Sequence, residues 1–310
     1  YTDITEEQLR NVIEGEGLKI YTDTKSQLLE DLNKDPHFDT SHVQKQLEAY
    51  LEQASGDIDN LINTTLPNVV NEVYRNIAKE TVAKVATGVA TPDKAIDETV
   101  MKWQEVGFRG FKDRGGKNWR IDNYARTVVK TTTRRVYRQM RTQPADELGI
   151  DTFYYSKKAT AREACAPLQH HIVTYGEARE EGGYSVLSLA DHGYGTPGGC
   201  LGINCGHYLT PFVIGVNDMP DLGDDVKNIT PEDAIRNANA QAKQRTLERS
   251  IRDSKEKLHI ANKLGDKDLI VKYKSKIRTQ QGAMRDFLKD KPFLHRDYAR
   301  EKYYKGPYTD

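Results

Sequence analysis

The chain has little of what marks the most familiar protein classes. Its 310 residues include three cysteines, Cys165, Cys200 and Cys205. That number is small and odd, which excludes the disulfide framework of a small secreted domain and points to assembly in a reducing compartment. No run of eighteen apolar residues occurs, so neither a membrane span nor a membrane partner is expected. The glycines around Gly198 and Gly199 are followed by no Lys-Ser or Lys-Thr and lack the Rossmann spacing, which argues against a phosphate cradle. Paired Cys-x-x-Cys spacings, the strong sign of a zinc knuckle, are missing as well. Net charge is zero, with 46 Lys and Arg against 46 Asp and Glu.

What is present is charge in blocks. Residues 1–100 hold 9 basic and 19 acidic side chains, 101–141 hold 12 and 3, 142–240 hold 6 and 14, and 241–310 hold 19 and 10. Such alternation suits a protein that lies against large partners, the basic blocks meeting nucleic acid or an acidic protein surface; it equally suits solvated helix faces. A 30% share of charged residues beside 37% apolar ones favours a surface-rich protein over a compact enzyme.

Apolar residues recur at helical spacing through much of the first hundred positions. Val43, Leu47, Tyr50 and Leu51 form one stripe behind Ser41, a candidate cap, and Asp57 to Ala86 forms another that Pro67 should kink. Thr91-Pro92 and Thr230-Pro231 are explicit helix starts: a capping hydroxyl, then a proline at the first position, where no backbone donor is needed. Residues 108–120 read as two short extended pieces around a turn at Asp113-Arg114-Gly115-Gly116. They lead into a basic helix that Asp122 should cap, with Tyr124, Val128 and Val136 inward. Only the middle is β-prone: "DTFYYS", "HIVTY" and "HYLTPFVIG" read as strands, and "TAREACAPLQ" as a short helix, with a Gly- and Tyr-rich loop between. A long polar helix from Thr230, threaded by Ile235, Leu247, Ile251 and Leu258, is followed by a second over 266–290 that pairs with it as a hairpin or lies along a partner. Its thread is thin, so it should rest on something else. The expected fold class is α+β, predominantly helical, with a small β-rich module in the middle and long helices on either side. The expected regions are 1–106 (helical), 107–148 (signature turn and basic helix), 149–218 (small Cys/His module), 219–229 (acidic linker) and 230–310 (helical hairpin and tail).

The stretch "GYGTPGGCLGINCGHYLTPF", residues 193–212, concentrates the chemistry. Cys205 and His207 are two apart and share one face wherever the chain is extended. Three readings stay open. With a base in reach the thiol is a nucleophile, although no oxyanion-hole signature accompanies it. With Cys165 joining the pair and His170, His171, His192 or Cys200 completing the shell, it is a tetrahedral zinc site. The ligand set is then Cys165, Cys205, His207 and His170, with a structural zinc as candidate cofactor. Or the cysteines are small buried hydrophobes and His207 a hydrogen-bonded core residue. The glycines let the backbone turn sharply, so the stretch is at least a shaped corner.

Two stretches together resemble a known family. Gly110, Phe111, Gly116, Lys117, Trp119, Tyr124, Ala125, Lys130, Thr131 and Thr132 follow the signature of tailed-bacteriophage minor capsid proteins of the minor capsid protein 2 type, related to portal-associated minor head proteins. Cys165-Ala166-Pro167 with Gln169, then "YGTPGG" and "GINCGHYLTPF" with Asn204, are similar to the rest of that signature, and the C-terminal helices resemble its closing tail. The likeness runs over about residues 107–300 and departs at Lys130, His170 and Gly206. It implies a structural component of the virion, made in the host cytoplasm and carried in the phage head near the portal in several copies. Portal and major capsid proteins would be its partners and packaged DNA a further one. Its role would lie in head assembly and in DNA packaging or ejection, without catalysis. The alternative is a metal-dependent nuclease or toxin-like enzyme using the Cys/His cluster.

Overall fold

A computed structural model describes residues 18–43, 68–86, 88–107, 110–112, 116 and 118–303, with positions 45 and 49. Leu47, Tyr50, Leu51, Pro67 and residues 113–115, about which the sequence makes specific statements, lie outside these. The elements fall into two compact units. The first carries helices α1 (Leu18–Asp31), α2 (Asn68–Ala86), α3 (Pro92–Glu105) and α4 (Ile121–Glu147). It also has a two-strand ribbon, β1 (Gly110–Lys112) and β2 (Asn118–Arg120), and a five-strand sheet: β3 (Thr152–Tyr155), β4 (Ile172–Thr174), β5 (Arg179–Glu181), β6 (Tyr184–Ser188) and β7 (Leu209–Pro211). The second carries the single turn α5 (Asp224–Lys227) and the long helices α6 (Pro231–Leu264) and α7 (Lys267–Leu288). The architecture is α+β and predominantly helical, with a small mixed sheet mid-chain. No described helix is long and apolar enough to cross a membrane.

In the first unit, Thr91 caps α3 by accepting the Lys94 N–H at 3.3 Å, and Pro92 follows it. Ile96, Val100 and Trp103, one stripe of α3, are buried. A buried hydroxyl pair, Thr81–Thr99 at 2.7 Å, joins α2 to α3, and Lys84–Glu98 and Lys102–Glu80, each 2.6 Å, close the rim. Trp103 stacks on Tyr124 of α4 with centroids 5.2 Å apart, while Trp119 meets the same ring edge-on at 5.9 Å. Tyr124 of the signature is therefore core, and the half-buried Trp119 packs on its edge. Gly110 has φ +117, and a Cβ there would land on the Trp119 carbonyl across the ribbon, so only glycine fits. The N-cap of α4 is Arg120 rather than Asp122. Asp122 sits in the first turn, where a carboxylate favours the helix dipole, and accepts from Arg120 Nε at 3.3 Å.

The sheet order is β5-β6-β4-β3-β7, with β4 and β6 parallel and every other pair antiparallel. Tyr154, Ile172, Val186 and Phe212 form its compact cluster, covered by Tyr184, Ile214 and Met219. Helix α4 packs against β7. Two expectations are corrected here. Part of the loop after β4 is the hairpin β5–β6, closed by Gly182-Gly183, whose φ values of 57 and 83 suit a two-residue turn of the hairpin type. And "TAREACAPLQ" is a turn from Arg162 to Cys165 followed by one 3-10 turn, Ala166–Leu168, because Pro167 removes the donor a longer helix needs.

In the second unit, Thr230 and Asp233 form a reciprocal capping box at the start of α6: the hydroxyl accepts the Asp233 N–H at 3.1 Å and the carboxylate accepts the Thr230 N–H at 3.3 Å. Gly265, left-handed at φ 68, ends α6, and Asp266 caps α7 by accepting the Leu269 N–H at 3.0 Å. The two helices pack as a hairpin. The thin apolar thread of α6 is supplemented by charge. Gln244, Glu248 and Arg252 are buried beside Ile251. Gln244 Nε2 donates to the His295 carbonyl at 2.7 Å, Arg300 Nε to Glu248 at 2.6 Å, and Arg252 Nη1 to the Arg300 carbonyl at 2.6 Å. Arg296 forks onto the buried Glu301 at 2.7 and 2.9 Å. The segment after α7 is thereby stitched onto α6.

Candidate functional site

The glycine-rich stretch is a tight corner whose shape follows from its backbone. A 3-10 turn, Ala190–His192, ends at the left-handed Gly193. At Gly199 a Cβ would land on the Gly193 carbonyl, so the two strands of the corner approach as only glycine allows. The Cys200 N–H donates to the His192 carbonyl at 2.9 Å, and the Cys200 thiol to the Leu189 carbonyl at 3.4 Å. Leu201 and Asn204 are left-handed although neither is glycine, with φ 54 and 59. Such residues persist where their surroundings hold them.

What holds them is α4. Arg138 Nη1 donates to the Leu201 carbonyl at 3.2 Å, and Arg134 Nη1 to the carbonyls of Asn204 at 3.3 Å and Cys205 at 3.1 Å. The Asn204 N–H donates to Thr131 Oγ1 at 3.2 Å. Arg138 also lies 5.8 Å from the Tyr194 ring centre and Arg141 5.4 Å from that of Tyr208. Guanidinium groups suit this task because their planar fork reaches two acceptors and stacks on rings. Part of the basic surplus in residues 101–141 is thus spent inside the unit, on loop carbonyls. Desolvation draws Arg134 below its ordinary pKa, and charge on Cys205 works in the opposite sense.

Cys205 leaves the corner and His207 follows just before β7. The Cys205 sulfur is 3.3 Å from His207 Nδ1, and His207 Nε2 is 3.0 Å from Gln169 Oε1. An amide oxygen can only accept, so Nε2 carries the proton and Nδ1 presents its lone pair to the sulfur. The Tyr155 ring lies against the imidazole, centroids 5.1 Å apart, and Cys205 and His207 are each 8% exposed. Cys165, on the β3–β4 connection, belongs with residues 158–167 to the second unit, whereas Cys205, His207 and Gln169 belong to the first. A left-handed φ of 60 turns the His170 ring to the Tyr154 hydroxyl, 3.2 Å from Nδ1, where burial first, then the charges of Lys157 and His171, hold its pKa down. His171 lies with Nδ1 3.0 Å from the Gln169 carbonyl oxygen. The sequence does not single out Gln169, Arg134 or Arg138 as site residues; the one pointer to Gln169 is its place in the Cys-Ala-Pro-x-Gln element. Chemically, a thiol facing an oriented imidazole can surrender its proton to the ring or share a soft metal ion with it.

Comparison with known proteins bears on the whole chain. It is 33% identical over 301 residues to a protein named "Structural protein" of Lactococcus phage LL-H, an alignment covering 94% of this chain and 79% of that one. A second "Structural protein", from Lactococcus phage mv4, is 40% identical over 115 residues, 37% of this chain and 89% of the relative. No solved structure matches. The model of the family described as phage minor capsid protein 2 matches residues 1–289. With a family model matched over 289 of its residues and a phage structural protein 33% identical over 94% of its length, the chain belongs to the phage minor capsid protein 2 family.

Proposed function

We propose that the protein is a docking component of the phage head, seated at the portal beside the major capsid protein in several copies. There it acts in head assembly and in DNA packaging or ejection without turning over a substrate. The observation that carries this reading is the α6–α7 hairpin. Helix α7 is 22 residues long, yet Met284 is its one buried side chain. Leu264 and Val271, at the hairpin tip and just after it, are 69% and 68% exposed. A surface helix ordinarily keeps an apolar stripe covered, and apolar side chains left out together favour a face that an assembly covers. Helix α7 also carries Lys267, Lys272, Lys274, Lys276, Arg278 and Arg285 against Asp268 and Asp286, a surface suited to a polyanion.

Co-sedimentation of the full chain with purified portal rings tests the docking. Stoichiometric association, weakened when Leu264 and Val271 are both changed to Asp, is expected. Absence of the protein from mature DNA-filled particles by mass spectrometry overturns it. For DNA, charge reversal at Lys274, Arg278 and Arg285 should lower the slope of log affinity against log salt by roughly 3. A second reading, a hydrolase or nuclease, draws on the Cys205–His207–Gln169 chain of contacts, which has the order nucleophile, base and orienting group. Burial of both reacting side chains and the clasped corner beside them favour the structural reading.

A further inference from the structure

We propose that the arginine stripe on the last half of α4, with the tyrosines packed on it, is a contact surface for the phosphate backbone of duplex DNA. This rests on the reading of DNA as a partner and gives it a second footing, in the first unit and separate from α7. Arg134, Arg138 and Arg141 stand at i, i+4 and i+7, one face of a helix, and so spread three guanidinium groups over about 10 Å. Around the start of α4 the cations are matched: Arg126 and Lys130 lie 3.6 and 3.7 Å from Asp93, and Arg120 3.3 Å from Asp122. Among the described residues, none of the later three has a carboxylate within ion-pair distance. Arg134 and Arg138 reach loop carbonyls, and Arg141 only the Tyr208 ring.

Neither of the two segments that meet here carries a carboxylate. Residues 134–142 read RRVYRQMRT, and residues 193–212, the glycine-rich corner with β7, contain no Asp or Glu. A carbonyl takes a hydrogen bond but cancels no charge, so each guanidinium stays a full cation. Beside the stripe, Tyr175, Tyr194 and Tyr208 are 37%, 39% and 48% exposed. Tyr175 and Tyr194 pack ring against ring at 5.2 Å, Arg138 lies over Tyr194, and Arg141 over Tyr208. Stacking sets the planes of the guanidinium groups, and the phenol hydroxyls add donors that phosphate oxygens can accept. No Leu, Ile, Val or Met of either segment is exposed, so apart from the tyrosines the face has no apolar centre for a protein to bury. A duplex carries one negative charge per about 1.7 Å of its axis, so a row of cations about 10 Å long faces several phosphates at once.

The test is fluorescence anisotropy of the full-length chain with a short fluorescein-labelled DNA duplex, titrated at several salt concentrations. Arg141→Gln spares the corner, because Arg141 touches only a tyrosine ring. It should weaken binding roughly 5–10-fold at about 0.1 M salt and lower the slope of log affinity against log salt by about 1, with circular dichroism unchanged. The Arg138→Gln, Arg141→Gln double variant should lower the slope by about 2. Duplex should also shield Arg138 and Arg141 from phenylglyoxal, read by mass spectrometry. An unchanged slope in Arg141→Gln, with both arginines equally reactive with and without duplex, overturns the proposal. If charge reversal on α7 abolishes binding in that same assay, DNA stands as a partner and only this face is removed. Weakened association of Arg141→Gln with portal rings, its duplex binding intact, overturns the proposal as well, since the face then meets a protein. A wild-type chain that binds no duplex overturns both this face and the DNA contact of α7.

Discussion

Replacing Glu248 with alanine should unfasten the second unit. Glu248 is 1% exposed and accepts from Arg300 at 2.6 Å and from Arg245, whose side chains are themselves only 19% and 29% exposed. Arg245 already has its pKa pulled down, first by burial and then by the charge of Arg300, with Glu248 offsetting both. Removing the carboxylate leaves two facing guanidinium groups without it. Breaking a buried pair from one side costs about 3–5 kcal/mol. For a unit of this size each kcal/mol moves the melting temperature by roughly 4–8 °C, so the unit should melt on the order of 12–40 °C earlier. Hydrogen-exchange mass spectrometry on peptides from 240–303 is the assay, since it reads this unit separately. Peptides of α6 and the segment after α7 should lose protection together. The Glu248→Met, Arg300→Met double variant, which replaces the pair by apolar groups, should recover much of the loss. Protection in Glu248→Ala within about 0.5 kcal/mol of wild type would refute the reasoning, because that is the range of an ordinary surface change.

Tyr21 donates to Glu147 at 2.6 Å and receives Lys25 at 2.9 Å; burial first, then that carboxylate, push the tyrosine up to about 12. The folded state thus holds this proton more tightly than the unfolded one. The associated about 2–3 kcal/mol is fully present below pH 10 and is lost as pH rises toward 12, so Tyr21→Phe should flatten the alkaline limb of a urea-melt series. On the acid side, burial acts to raise Glu147 but its Lys25 and Tyr21 bonds outweigh it, leaving its pKa lowered; its contribution should fade as pH falls below about 4.5. Gly199→Ala forces a shift against the Gly193 carbonyl, should cost about 1–3 kcal/mol, and should open the corner to limited proteolysis. Arg138→Ala removes the donor to Leu201; amide exchange over 193–206 should quicken with a stability loss of about 1–2 kcal/mol.

Features governed by neighbouring residues are legible in the sequence. Thr91-Pro92 and Thr230-Pro231 start helices because capping is settled within four residues. The ribbon and strands β3, β4 and β7 follow from composition in the same way. Hairpin β5–β6 escapes that reading, since "REE" is polar and its partner was masked by the glycines and tyrosines around it. The pairing of Cys205 with His207 follows from their spacing, but the choice of Gln169 over His170 as neighbour does not. It turns on one left-handed residue that sends adjacent side chains to different places. Nor can periodicity reveal that Arg134 and Arg138 face carbonyls some seventy positions away. A count of basic residues gives the charge of α4, whereas the fold decides how much of it faces outward.

Helix α6, unbroken over 34 residues, is about 50 Å long at 1.5 Å per residue, and the hairpin tip at Gly265 stands at its far end. A rod of that reach acts as a lever: a 5° swing about Thr230 carries the tip through roughly 4 Å, most of one helical turn. Small angular play at the capped base would therefore displace the tip by several ångströms without any change in the helix itself.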